Sequence, residues 1–128
     1  MISVFLACDD PYDSADFYVG RLGWRLVFAT PQESGDRMAL VALGDAQVHL
    51  GTAEEQWLPA RSREHRGAGV TACIRLPASE DISAVHARHP AAGVVTTPLA
   101  ARPWGELAFD AVIEGYRFLI GQEPAAVE

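Results

Sequence analysis

A chain of 128 residues, 49% of them hydrophobic, is long enough for one domain with a small core, a size at which association between copies helps stability. The net charge is −7 and all ten basic residues are arginine, which argues against nucleic acid as a partner and, without lysine, excludes Schiff-base and P-loop chemistry. No apolar run reaches membrane length, no basic segment precedes an apolar one at the N-terminus, and Cys8 and Cys73 lack metal-knuckle spacing; these features predict a cytoplasmic protein with two buried free thiols and no membrane partner.

Residues 2–8, ISVFLAC, have the apolar, partly β-branched composition of a strand. Asp10 as cap, Pro11 at the first helical position and Asp13 in the first turn then start a helix that carries Phe17 and Leu22 and stops at Gly23. Strands are predicted at WRLVFAT (24–30), RMALVAL (37–43) and AQVHLG (46–51), the last two joined by a tight turn at Gly44 and Asp45. The polar stretch from Thr52 to Gly67, charged with both signs, reads as a solvated connection.

The order then repeats. GVTACIRL (69–76) is a strand, Ser79 caps a helix with Glu80 and Asp81 in its first turn, and that helix ends near His89, Pro90 and Gly93. GVVTTPL (93–99), WGELAFDAV (104–112) and YRFLIGQ (116–122) are three further strands, the last two meeting at Glu114 and Gly115. The prediction is an α+β fold of two βαβββ modules: one domain over 1–123, with module one at 1–52, a connection at 53–67, module two at 68–123 and a tail at 124–128.

Three stretches, DSADFYVGRLGWRLV (13–27), GDAQVHL (44–50) and RPWGELAFDAVIEGYRFLI (102–120), resemble the helix, hairpin and closing strands of the vicinal oxygen chelate superfamily, which includes glyoxalases, dioxygenases and bleomycin resistance proteins. Val112 and Ile113 depart from the family's acid and proline in the last turn, while Gly115 and Tyr116 keep their places. The resemblance implies a cup-shaped, curved mixed sheet built from the two modules, a homodimer, and ligands held on the concave face. It also places the family's four metal-ligand positions on Ser3, His49, Val70 and Leu119, of which only His49 is a good donor. A catalytic divalent cation needs about three protein donors, so neither metal nor other cofactor is expected.

Strand alternation separates a cup-facing set, Ser3, Phe5, Ala7, Gln47, His49, Arg117 and Leu119, from a helix-facing set, Ile2, Val4, Leu6, Val48, Leu50, Phe118 and Ile120. Trp24 reads as core. Trp57 and Trp104 either cover the edge of the core or stack on a flat ligand, and Phe28 is open between the same two roles. His49 is either a polar residue satisfied by a neighbouring carbonyl or a group on a pocket wall; Glu106 is a candidate acid to orient it. The predicted ligand-contacting set is Ser3, Phe5, Phe28, Gln47, His49, Trp57, Trp104, Glu106 and Arg117.

Within the resembled superfamily, the missing metal donors imply a binding protein that sequesters an antibiotic or related natural product, cationic or aromatic, and so confers self-resistance. One alternative is a metal-independent isomerase, cyclase or epimerase that uses His49 and Glu106 for proton transfer. Another is a metal-dependent lyase or dioxygenase.

Overall fold

The computed structural model describes residues 2–33, 35–54 and 57–123, so the predicted tail at 124–128 lies outside the described residues. The first half runs β1 (Val4–Cys8), α1 (Pro11–Gly20), β2 (Arg25–Ala29), β3 (Met38–Leu43) and β4 (Ala46–Thr52), and a 3-10 helix (Ala60–His65) lies in the connection. The second half runs β5 (Thr71–Arg75), α2 (Ile82–Ala91), β6 (Val95–Thr96), β7 (Ala100–Ala101), β8 (Leu107–Ile113) and β9 (Tyr116–Gln122). The strands form two mixed sheets, ordered β1-β4-β3-β2 and β5-β9-β8-β6, with β7 also paired to β8. In each sheet the first and last strands of the half run parallel, with Val4 opposite Val48 and Thr71 opposite Arg117.

Local chemistry explains most element boundaries. The Asp10 carboxylate accepts from the Tyr12 and Asp13 amides and Pro11 opens α1, as the sequence predicts. For α2 the cap is Asp81, which accepts from the Ser83 and Ala84 amides, and not the expected Ser79. Both are good capping types; starting at Ile82 lets Ile82, Val85 and His89 share one buried face. Of the strand expected over 93–99 only Val95–Thr96 forms, and a second short strand follows at Ala100–Ala101; Pro98 between them has no amide hydrogen to give to a ladder.

Alternation along the strands gives the sheets one packed and one open face. Leu6, Val41, Val48, Leu50, Ile74, Phe109, Phe118 and Ile120, from both sheets, belong to one buried cluster with Tyr18, Leu22 and Trp24. The Trp24 ring meets Phe118 and Tyr18 edge-on at centroid separations of 5.6 and 4.9 Å. His89 is fully buried beside this cluster: its Nδ1–H donates to the Val85 carbonyl at 2.8 Å, which leaves Nε2 to accept from Trp24 Nε1 at 3.4 Å. Burial holds the His89 pKa below the usual histidine value.

Two other expectations are corrected. Cys8 is buried, and desolvation pushes its thiol up to about 11, but Cys73 is exposed because the alternation that turns Ile74 inward turns Cys73 outward. Ile2, assigned to the helix side, is exposed because it precedes β1 and packs against neither layer. No helix among the described residues is long and apolar enough to cross a membrane.

Candidate functional site

The open face of the first sheet carries an aromatic row. Across the strands Phe28 lies opposite Leu40, Leu40 opposite His49, and His49 opposite Phe5, so three predicted site residues share one line on one face. All five residues of β2 are exposed. The Phe5 ring occupies the space over Gly51, where any Cβ would collide with it; Gly51 thus decides where the ring lies, and Phe5 remains 59% exposed. The His49 side chain is half-buried and makes no hydrogen bond or ion pair among the described residues, so the reading in which a neighbouring carbonyl satisfies it does not describe this structure.

Phe5 also joins a cleft of about 530 Å³ at the end of β1, together with Ala7, Trp57, Leu58, Arg66 and Tyr116. That volume suits a drug-sized molecule. Its back wall is rigid: Tyr116 Oη donates to the Ala7 carbonyl at 2.8 Å, and Arg66 donates to the same carbonyl at 3.3 Å and to Asp9 at 2.9 Å. Trp57 stands 80% exposed at the rim and does not cover the core. The connection, read from sequence as solvated apart from Trp57, therefore supplies Trp57, Leu58 and the largely buried Arg66 side chain. Arg66 and Tyr116 are outside the predicted set; the only sequence signal is the Gly115–Tyr116 landmark, since the carbonyl that both residues bind comes from a distant strand.

The second sheet's open face has different chemistry. Its β5 members are Thr71, Cys73 and Arg75, with Cys73 opposite Leu119 and Leu119 opposite Asp110. Val70, expected to point into the cup, precedes the strand, and the register gives the central position to Cys73. At Gly121 a Cβ would collide with the Glu106 carboxylate. Glu106 is buried, accepts from Trp104 Nε1 at 3.2 Å and lies 3.5 Å from Arg75 Nε. Asp110 receives two bonds from Arg117 on Oδ1, at 3.2 and 2.8 Å, and one from Arg102 on Oδ2 at 3.1 Å. Burial pushes the Asp110 carboxyl up, but the bonds and charges of Arg117 and Arg102 outweigh it and hold the group below its usual range.

The predicted set is therefore distributed over the molecule. Phe5, Phe28 and His49 share the first sheet's row, and Phe5 and Trp57 share the cleft. Ser3 is exposed ahead of β1, and Gln47 lines a separate crevice of about 210 Å³ with Val4 and Cys73. Trp104, Glu106 and Arg117 belong to the second half. The contacts of Glu106 are with Trp104 and Arg75; His49 is not among them.

Two half-exposed sheet faces on a duplicated βαβββ frame are the architecture of a superfamily. A profile for the Glyoxalase/Bleomycin resistance protein/Dioxygenase superfamily matches residues 1–118, and the chain belongs to that superfamily. No curated protein matches the sequence. Among solved structures the fold is similar to TnmS3, an antibiotic binding protein from Streptomyces sp. CB03234, at 22% identity, 97% coverage of this chain, 96% of that chain and a TM-score of 0.69. It is similar to a bleomycin resistance determinant encoded on the transposon Tn5, at 17% identity, 96% and 97% coverage and a TM-score of 0.67. It is equally similar to a single-residue mutant of the fosfomycin resistance protein FosX from Listeria monocytogenes, complexed with Mn(II), at 12% identity, 98% and 92% coverage and a TM-score of 0.67.

The described residues of this chain do not fit such a metal. On the central rows of the open faces His49 and Cys73 are the donors, their strand partners Phe5 and Leu119 cannot ligate, and Asp110 is taken up by two arginines. Among the described residues no group of three or more His, Cys, Asp or Glu is placed to hold a metal ion, short of the three donors a catalytic site needs.

Proposed function

We propose that the protein captures an antibiotic or related natural product, without metal or other cofactor, and thereby confers resistance on the cell that makes it. The observation that carries this reading is the exposed aromatic surface beside a drug-sized cleft: Phe5 and Trp57 both line the cleft, and Phe5 continues through His49 and Leu40 to Phe28. Aromatic rings held open to solvent give stacking and apolar burial to a flat ligand, with little ordering left to do on binding. His49 then contributes a polar contact on the pocket wall.

A homodimer belongs to the same reading. Leu26, Val27, Phe28, Phe5, Val112 and Trp104 are all exposed apolar residues, and a second copy laid against an open face would cover them and close the site. The exposed Cys73 thiol suits a reducing compartment, the cytoplasm.

Thermal shift against a panel of aromatic antibiotics, bleomycin included, tests the proposal, because a ligand that binds the native state raises its melting temperature. The expected result is a concentration-dependent rise with the drug recovered unchanged after denaturation. A converted product overturns capture in favour of an enzyme, and near-stoichiometric metal in the purified protein overturns the metal-free reading. Sedimentation is expected to give a dimer; a clean monomer removes that part of the proposal.

A further inference from the structure

The net charge of −7 suggests a cationic ligand, but the second sheet's open face points the other way. Its carboxylates are already engaged. Glu106 is held by Trp104 Nε1 and Arg75, and Arg75 also reaches Glu123 at 2.8 Å. Asp110 is shared between Arg102 and Arg117, with Thr97 Oγ1 adding a fourth bond at 3.3 Å. One carboxylate against two guanidiniums leaves this trio with one positive charge, while Arg75 with Glu106 and Glu123 carries one negative charge, so the positive charge is local to the Arg102–Arg117 end of the face.

The geometry also directs that charge. Arg117 uses Nε and Nη2 on Asp110, and its Nη1 makes no bond among the described residues; a guanidinium has five N–H donors in a rigid plane, so the unused ones are oriented and not merely available. The Arg117 side chain is 57% exposed while Asp110 is 14% exposed, which puts the anchor below and the donor edge at the surface. Arg102 links this trio to an aromatic wall: its guanidinium lies 6.0 Å from the centroid of the Trp104 ring, itself 60% exposed. An exposed indole therefore adjoins Arg102, whose guanidinium is bonded to the same carboxylate that anchors Arg117.

We propose that the second sheet's open face binds the oxyanion of an aromatic ligand, a carboxylate or phenolate, through Arg117 held in place by Asp110, with the ring of the ligand against Trp104. The inference rests on the capture reading and specifies the chemical class captured. Arg117 makes the contact and Asp110 is a positioning residue.

Three probes of one shape test it by titration calorimetry: 2-naphthoate, neutral 2-naphthamide and 2-naphthylmethylammonium. The expected result is naphthoate binding at least about tenfold tighter than naphthamide, as one charge-assisted contact provides, with the ammonium weakest. In Arg117→Met the naphthoate advantage falls to less than about twofold while naphthamide affinity is unchanged. Asp110→Asn raises the local positive charge yet is expected to weaken naphthoate, because the guanidinium loses its anchor; tighter binding would overturn the positioning role. Naphthamide or the ammonium binding as well as naphthoate, or no binding by any of the three, overturns this inference, while capture itself stands or falls with the antibiotic thermal shift.

Discussion

Gly51 in the first half and Gly121 in the second sit at matching places on the last strand of each half, and each leaves a gap that a larger side chain fills. Over Gly51 the filler is the Phe5 ring, mostly exposed; over Gly121 it is the Glu106 carboxylate, buried between an indole N–H and an arginine. The backbone solution was kept in both halves while the chemistry placed on it diverged. One open face became largely aromatic and apolar, with Arg25 at one end of it, the other a network of arginines and acids. A duplicated fold thus repeats its packed side, where Leu50 and Ile120 are equally buried, and varies its open side, where no core constrains the choice.

The strongest way to break this comparison is through the core that the halves share. Phe118→Ala removes the ring that Trp24 and Tyr18 pack against and is expected to lower stability by about 3–5 kcal/mol. Urea unfolding checks both the size and the cooperativity: one transition fits a common core, and two separate transitions would show that the halves stand alone.

The next effect separates the two fillers. Glu106→Ala leaves Trp104 Nε1 and Arg75 without their acceptor and is expected to cost about 1–3 kcal/mol, while Phe5→Ala, at an exposed position, costs under about 1 kcal/mol. The reverse ranking would mean that the Phe5 ring is structural and that Glu106 is the group kept free for a ligand.

A pH series sharpens the account of the interior. The native state holds His89 neutral with a pKa below the usual 6.5, so as pH falls through 6.5 the unfolded chain takes up a proton that the folded chain refuses. Stability is therefore expected to decline from about pH 6.5 down to the depressed native value and to be insensitive to this group above about pH 8. His89→Gln should flatten that decline in urea midpoints measured across the range. The smallest stability effect belongs to Trp57→Ala, within about 0.5 kcal/mol at a position this exposed; the same substitution is expected to abolish the thermal shift given by an aromatic drug.

The sequence determined the packed half of the structure nearly completely. Alternation in ISVFLAC, AQVHL and YRFLI assigned the inward faces, Asp10–Pro11 started the first helix, and Gly44–Asp45 and Glu114–Gly115 placed the hairpins, because each of these signals is local and its physics is short-ranged. It also placed Phe5 and His49 on one face, since parity within a strand carries over to the strand beside it. Register was another matter. The sequence points to Val70 as cup-facing, whereas Thr71, Cys73 and Arg75 take that face, because a one-residue slip reverses every side chain and nothing local in GVTACIRL fixes where pairing with β9 begins.

Only the tertiary structure decided which distant groups meet. Arg66 and Tyr116 converge on one carbonyl of β1, and Arg102 and Arg117 on one carboxylate of β8. His89 and Trp24 close the core across the halves, and Glu106 turns to Arg75 and not to His49. Such contacts depend on how two sheets pack, a choice made by the whole core at once, so a site assembled from several strands is not legible in any one of them.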